Sequence, residues 1–228
     1  MVLIRKSMIE EFHFCPYKFK KRYIDESIVD LPNQSMLMGT RFHEVAEKFF
    51  DNHESALCYD FTKHYNNHEV KMIDWFMDME MKRLAWLIDQ DRQEEWMPLH
   101  REVTLTNEEL NITGTIDRVD WIDKERGIIR LVEYKTSKKV DDASLRRQLG
   151  FYSYLYNNTL NMGKVDKLRL INPRLQVVID YDVPSVESIM KHVDNLKDSM
   201  LNNNFPPKCN PIKLSTCRCC SPDEVLPD

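Results

Sequence analysis

Two apolar segments, each with a charged residue where a strand should be buried, constrain the fold of this chain most strongly. Residues 114–120 read GTIDRVD and residues 131–135 read LVEYK, with a short charged turn between them. This pattern predicts two antiparallel strands joined by a hairpin. Residues two apart in a strand point to the same face, so Glu133 and Lys135 should project together, beside Asp117 of the neighbouring strand.

The chemistry of these side chains favours a metal site. Asp117 and Glu133 offer two hard oxygen ligands at one point, which suits Mg²⁺ or Mn²⁺. A lysine beside them is well placed to help activate a metal-bound water against a phosphodiester. The apolar neighbours indicate central strands, where charges without partners are costly, so a purely structural role explains the motif poorly. Glu102 either extends the carboxylate cluster or supports it, and Asp120 is expected to face solvent or to play such a supporting role.

The rest of the chain predicts helices and strands around this hairpin. Ser7 and Glu10 form a capping box that should start the first helix at Met8. Hydrophobic periodicity predicts further helices at about 36–50, 68–93, 141–157 and 184–202, and strands at about 101–106, 110–122, 128–134, 165–171 and 176–181. We therefore expect an α/β fold with a mixed central sheet flanked by helices.

Five motifs along the chain together resemble the PD-(D/E)XK nuclease superfamily, the first named here being its core. They are the Asp…Glu-x-Lys set, the runs Gly39-Thr-Arg-Phe-His43 and Cys15-Pro-Tyr-Lys-Phe, the pair Gln148-x-x-x-Tyr152, and a Cys cluster near the end. The last four are similar to motifs of the RecB-like branch with an iron–sulfur cluster. That branch includes CRISPR-associated single-strand exonucleases and the nuclease domain of AddB. The resemblance covers nearly the whole chain.

The resemblance implies a restriction-endonuclease-like fold in which residues 1–228 form a single nuclease domain. Its N-terminal helix and its C-terminal Cys tail would form the cluster-binding part. The resemblance also implies that Mg²⁺ or Mn²⁺ is bound by His43, Asp117, Glu133 and the backbone carbonyl of Tyr134.

The same resemblance implies a metal-dependent DNA nuclease, most simply an exonuclease that acts on single strands or DNA ends. Lys135 would orient the nucleophile and stabilise the developing negative charge. Gln148 and Tyr152 would position the scissile strand or hold the lysine. A non-catalytic DNA-binding or recombination-partner module of the same fold is an alternative, as is an RNA-processing nuclease. The intact Asp…Glu-x-Lys set favours catalysis.

Six cysteines in a chain expected to be intracellular indicate metal or cluster ligands and not disulfides. Cys217 and Cys220 have the spacing of a ligand pair, and the resemblance adds Cys15 near the start of the chain. The family's usual last cysteine is missing, so Cys209 is expected as the fourth thiolate of a clasp between the chain ends. These ligands suit a 4Fe–4S cluster or Zn²⁺, and the resemblance favours the cluster. Cys58 is expected to be a core thiol.

The net charge of −5 does not by itself indicate nucleic-acid binding, but two basic segments do. The first contains Lys18, Lys20, Lys21 and Arg22, and the second contains Lys138, Lys139, Arg146 and Arg147. The second directly follows the Glu-x-Lys motif, which favours contact with phosphate. The first is equally well explained as an ordinary solvated face.

Two further features of the sequence bear on its compartment. No apolar run approaches the length that spans a bilayer, so we expect no membrane contact. The first residues lack the apolar core of a signal peptide, so we expect a cytoplasmic protein, in a host cell's cytoplasm if the chain is viral. DNA is the expected partner, and a homo-oligomer or recombination or CRISPR-type partner proteins also fit.

Overall fold

The computed structural model describes residues 3–28, 33–160 and 162–208. The strands are β1 (Ile4–Arg5), β2 (His100–Asn107), β3 (Ile112–Asp123), β4 (Ile128–Tyr134), β5 (Lys164–Asn172) and β6 (Val177–Asp182). The helices are α1 (Lys6–Phe14), α2 (Pro16–Tyr23), α3 (Gln34–Phe49), α4 (His53–Leu57), α5 (Asn67–Asp89), α6 (Asp142–Thr159) and α7 (Val186–Leu201). Among these helices, none is both long and apolar enough to cross a bilayer.

All six strands belong to one mixed sheet, which confirms the predicted fold class. β3 and β4 form the predicted antiparallel hairpin, β4 pairs in parallel with β5, and β5 pairs antiparallel with β6. Ile112 and Thr113 of β3 pair with both β1 and β2. Because β2 occupies one edge of β3, β1 must lie on the other edge, in line with β4. The start of α1 therefore meets the end of β4.

Helices cover both faces of this sheet. On one face α1, α6 and α7 pack against the sheet around buried residues such as Ile116. On the other face α3 and α5 pack over Val132 and Tyr134 of β4. Aromatic rings fill this second core, where the Tyr134 ring lies 5.7 Å from the Phe42 ring and 5.7 Å from the Phe76 ring. The two layers meet at the end of β4, where Glu133 lies.

The long predicted elements are present within a few residues of their expected bounds, but the first helix starts differently. The predicted capping box is wrong, because α1 begins at Lys6 and its N-cap makes no side-chain hydrogen bond. Glu10 instead accepts a hydrogen bond from Ser144 Oγ at 2.6 Å and pairs with Arg147 at 3.0 Å. A long-range contact with α6 therefore replaces the expected local one.

Asp120 is fully buried, which excludes the expectation that it faces solvent. Its carboxylate accepts hydrogen bonds from Arg118 Nε at 2.6 Å and Nη2 at 2.7 Å. Arg118 Nη1 donates to Glu80 of α5 at 2.7 Å and to the Tyr134 hydroxyl at 3.1 Å. Burial would raise the pKa of Asp120, but the Arg118 charge lowers it well below its ordinary value. This buried network ties α5 to the central hairpin.

We predict that Glu80→Ala destabilises the protein by about 3–5 kcal/mol, because it leaves the buried Arg118 guanidinium without one of its two carboxylate partners. Urea denaturation measures the free energy of unfolding. Asp78→Ala, on the same helix, removes an exposed ion pair with Lys82 and should cost less than about 1 kcal/mol. Equal losses for the two variants would mean that the network contributes nothing special to stability.

Candidate active site

A cavity of about 770 Å³ opens where the end of β4 meets α1 and α3. Its charged floor contains Lys6, His43, Asp117, Glu133 and Lys135. Around this floor lie residues from the start of α3 and its N-cap, from the end of β4 and from the segments after β4 and β5: Asn33, Ser35, Met36, Gly39, Tyr134, Thr136, Ser137, Lys138 and Arg174. Four residues singled out from two sequence motifs, His43 from one and Asp117, Glu133 and Lys135 from the other, therefore line one depression.

Asp117 and Glu133 face each other across the hairpin. Arg118 pairs with Val132, so Asp117, one residue earlier, lies opposite Glu133, one residue later. Both carboxylates are buried, and Asp117 Oδ2 accepts a hydrogen bond from the Tyr134 backbone N–H at 2.7 Å. Burial and then the neighbouring Glu133 charge raise the pKa of Asp117 to about 7. Asp117 therefore gives up its proton only near neutral pH.

Two lysines hold Glu133 in its charged form. Lys135 Nζ lies 2.5 Å and Lys6 Nζ lies 3.2 Å from Glu133 Oε1. Burial would raise the pKa of Glu133, but the Lys135 and Lys6 charges lower it to about 2. The pKa values of the two neighbouring carboxylates therefore shift in opposite directions, because both lysines contact Glu133 and neither contacts Asp117 directly.

A histidine and two carboxylates form a second cluster on the side of Asp117 away from the lysines. His43 Nδ1 on α3 lies 3.1 Å from Glu102 Oε1 and 3.7 Å from Asp117 Oδ1. Ligand atoms of all three residues lie within 4.8 Å of one another. Burial would lower the pKa of His43, but the hydrogen bond to Glu102 and the Asp117 charge raise it.

The backbone of Glu102 is unusual. Its φ is 43°, in the left-handed region that non-glycine residues seldom adopt. The paired residues on either side, Arg101 with Arg118 and Val103 with Ile116, keep the β2–β3 register. The distortion is therefore confined to the residue beside Asp117. Such strain often accompanies a functional position.

The two predicted α6 residues lie beside Glu133 and behind Lys6. Gln148 is buried and lowers the pKa of Glu133, although its Nε2 atom donates no hydrogen bond of good geometry to an acceptor among the described residues. The Tyr152 ring lies 5.5 Å below Lys6 Nζ. A Cβ atom at Gly114 would come 2.7 Å from this ring, so the glycine of the motif makes room for Tyr152.

The donor set fits a divalent hard cation. Carboxylate oxygens and one imidazole nitrogen are ligands that Mg²⁺ and Mn²⁺ accept. Glu133 Oε2 is buried and has no hydrogen-bond partner among the described residues, which is an arrangement that a cation would satisfy. His43, Glu102 and Asp117 bring ligand atoms within 4.8 Å of one another, whereas the predicted set had Glu133 and the Tyr134 carbonyl in place of Glu102.

Lys6 is the site residue that the sequence analysis missed. It is the first residue of α1, and 127 positions separate it from Glu133. Its position follows from the pairing of β1 with β3, which directs the next residue toward the end of β4. A two-residue strand has no periodicity that could be read from sequence, so no local signal marked Lys6.

The structure describes only part of the predicted thiolate set. Cys15 is buried between α1 and α2, whereas Cys209, Cys217 and Cys220 lie outside the described residues. Lys208 Nζ donates to the backbone carbonyl of His13 at 2.8 Å, so the chain just before residue 209 lies near Cys15. Cys58 is exposed in the short turn after α4, so its expected place in the core is wrong.

Comparisons with known proteins bear on the family and the fold of this chain. A family model of the PD-(D/E)XK nuclease superfamily matches residues 6–225. The crystal structure of a protein from Eubacterium rectale named "Putative exonuclease" covers 100% of this chain and 90% of its own, with 13% identity and a TM-score of 0.50, and supports the fold alone. The structure of SSO0001 has 14% identity, covers 81% of this chain and 85% of its own, and has a TM-score of 0.30, too low to carry an argument. No curated protein matches the chain.

We predict that Asp117→Asn stabilises the metal-free protein at pH 8. Asp117 has a folded pKa of about 7 against an ordinary 3.8, so the native state holds its proton more tightly. Stability is therefore lost as pH rises from about 4 to about 7, and the asparagine removes that loss, at most about 4 kcal/mol. Thermal unfolding in EDTA should show a higher midpoint for the variant at pH 8 and a much smaller difference at pH 4. A variant that is less stable at pH 8 contradicts the assignment.

Proposed function

Because the chain belongs to the PD-(D/E)XK nuclease superfamily, we propose that it is a metal-dependent DNA nuclease that hydrolyses phosphodiester bonds in the cavity at the end of β4. One observation carries this proposal above the others: Asp117 and Glu133 are buried on adjacent strands, with Lys135 Nζ 2.5 Å from Glu133. We treat residues 1–228 as one nuclease domain acting in the cytoplasm, and partner proteins or a homo-oligomer remain predictions.

We assign the divalent cation to His43, Asp117, Glu133 and the Tyr134 carbonyl, and we add Glu102 as a further ligand or ligand support. Its 3.1 Å contact with His43 supports this addition. When bound, Mg²⁺ or Mn²⁺ supplies Lewis acidity, which lowers the pKa of water and neutralises phosphate charge.

Lys135 acts in this proposal as a fixed positive charge. Burial would lower the pKa of Lys135, but the Glu133 charge raises it above its ordinary value, so the amine stays protonated. A protonated amine cannot accept a proton from water. It can donate hydrogen bonds that orient the nucleophile and stabilise the charge that develops on the phosphate oxygens. Gln148 and Tyr152 would position the scissile strand or hold a lysine, and the Tyr152 ring, 5.5 Å from Lys6 Nζ, supports the second role.

Single-stranded DNA or DNA ends are the proposed substrate, with exonucleolytic cleavage. The similarity to a protein named "Putative exonuclease" points the same way, although that likeness concerns fold. Polar and cationic residues around the cavity, among them Lys138 and Arg174, suit a phosphate backbone.

We also propose that the chain belongs to the RecB-like branch and carries a 4Fe–4S cluster on Cys15, Cys209, Cys217 and Cys220, with Zn²⁺ as the alternative occupant. Two contacts support the clasp. Lys208 reaches the backbone of His13, and Phe205 stacks on Phe19 of α2 with ring centroids 5.8 Å apart. The described end of the chain is thereby held beside the helix pair that contains Cys15.

We predict that Lys135→Ala and Glu133→Gln each reduce Mn²⁺-dependent cleavage of end-labelled single-stranded DNA by at least about 10²-fold. Each removes one charge that acts on the reacting phosphate or its metal. Glu109→Gln, in the exposed turn before β3, is the matched control and should keep full activity. Full activity of Glu133→Gln would refute the proposed function.

His43→Ala should weaken metal binding and spare the chemistry. We expect the Mn²⁺ concentration for half-maximal cleavage to rise, with partial recovery of rate at high Mn²⁺, because the remaining carboxylates still hold the ion. Glu102→Gln should cause a smaller shift in the same direction. An unchanged metal requirement in both variants would remove the His43–Glu102 pair from the metal site.

For the cluster, we predict that anaerobically purified protein is brown, contains iron and bleaches in air. Cys15→Ala should lose the visible absorption and unfold at a lower temperature, because the clasp no longer restrains the unfolded chain. Cys58→Ala, at an exposed site, should keep both properties. Colourless protein that contains one zinc and no iron would refute the cluster and show that Zn²⁺ occupies the site.

A further inference from the structure

A second cavity of about 650 Å³ adjoins the catalytic cavity, and Lys6 lines both. Its walls are α1, α2 and the first turn of α6, and we call it the α1–α6 groove. Lys6 occupies its inner end, since its Nζ atom lies 3.2 Å from Glu133. A chain lying in this groove would therefore lead directly to the candidate metal ligands.

The two basic segments of the sequence, more than a hundred residues apart, converge on this groove. Lys18 and Arg22 come from the first segment and Arg147 from the second, and with Lys6 they face three carboxylates, those of Glu10, Glu11 and Asp141. The lining is thus more cationic than anionic, in a chain whose net charge is −5. The excess is one positive charge, and Lys6 also pairs with Glu133, so the charge favours an anionic ligand only together with the geometry of the cations.

The carboxylates hold the cations in place along the wall. Glu11 pairs with Lys18 at 2.9 Å and with Arg22 at 2.6 Å. Glu10 accepts from Arg147 Nε at 3.1 Å and Nη2 at 3.0 Å, so within the described part of the chain the N–H groups of Nη1 are left for another acceptor. A planar guanidinium fixed in this way is preorganised to bind a phosphate oxygen.

The outer rim carries an exposed aromatic ring. The side chain of Phe14 is 69% exposed, and Lys18 Nζ lies 5.4 Å from its ring centroid. An exposed apolar ring beside a cation matches a nucleotide, whose base stacks on the ring while its phosphate meets the charge. The base faces needed for such stacking are accessible in a single strand and hidden within a duplex.

We propose that the α1–α6 groove guides a single strand of DNA into the catalytic cavity, with a base on Phe14, a phosphate on Arg147 and the next phosphate inward on Lys6. This proposal rests on the nuclease function, since it deepens that function by naming the form of the substrate and its path. It also gives Lys6 a role: Lys6 binds the strand where it passes Glu133.

Binding can be measured in an Asp117→Asn background, which removes a metal ligand and leaves the groove intact. The probes are a fluorescein-labelled oligothymidylate of about 16 nucleotides and a blunt duplex of equal length, followed by fluorescence anisotropy. Phe14→Ala should raise the Kd for the single strand by about tenfold. Trp86→Ala is the matched control, because it removes a ring that is 55% exposed on α5 and should leave the Kd unchanged.

The salt dependence of Kd tests the phosphate contacts. Arg147→Gln should reduce the slope of log Kd against log salt concentration by about 0.7, the value for one phosphate contact on a single strand. Arg147→Lys keeps the charge and should retain most of that slope. Thermal unfolding of each variant shows whether the loss of the Glu10 pair has altered the fold.

Any one of three results would overturn the proposal that the groove binds a single strand. Phe14→Ala could bind the single strand as tightly as Trp86→Ala does, Arg147→Gln could leave the slope of log Kd unchanged, or the duplex could bind as tightly as the single strand. Hydrolysis of bis(p-nitrophenyl) phosphate by the wild-type protein with Mn²⁺ tests the nuclease function separately. If this hydrolysis is absent, the nuclease function fails, and the binding experiment still decides whether the groove holds a single strand.

Discussion

Two carboxylates buried face to face on adjacent strands impose the constraint on which the rest of the site depends. Like charges in such a place repel, and burial penalises both. The surrounding residues stabilise a different protonation state in each carboxylate. Lys6 and Lys135 hold Glu133 charged, while Asp117 keeps its proton to about neutral pH and lies next to His43. A divalent cation would let both carboxylates ionise, so a cation bound here would relieve the repulsion that destabilises the metal-free site.

A buried hydrogen-bond network on the opposite face of the sheet supports this arrangement. Tyr134 links the two faces, because its backbone N–H holds Asp117 while its hydroxyl accepts a hydrogen bond from Arg118. Arg118 in turn binds Asp120 and Glu80, so the helix α5 is fastened directly behind the site. A buried ionic network adds little net stability compared with apolar packing, but it fixes geometry, which a metal site requires.

The features that depend on neighbouring segments could be predicted from the sequence, whereas contacts between distant segments could not. Alternating apolar residues and one short turn were enough to place Asp117 opposite Glu133, because a hairpin involves neighbouring segments. Lys6 arrives through a two-residue strand that pairs with β3, and no periodicity marks such a contact. One of the two alternatives for Asp120, exposure to solvent, was wrong. The carboxylate is buried in a network with Arg118, and the second partner of Arg118 is Glu80, which lies 40 residues before Asp120 on a helix.

Mn²⁺ binding at equilibrium tests the proposed role of this site most directly, since it needs no assumption about the substrate. The electron paramagnetic resonance signal of free Mn²⁺ reports how much ion remains unbound during a titration of the protein. We predict that the wild-type protein binds the ion, and that Asp117→Asn and Glu133→Gln bind it far more weakly, while Glu109→Gln binds it normally. Undiminished binding by the Asp117→Asn protein would contradict the account.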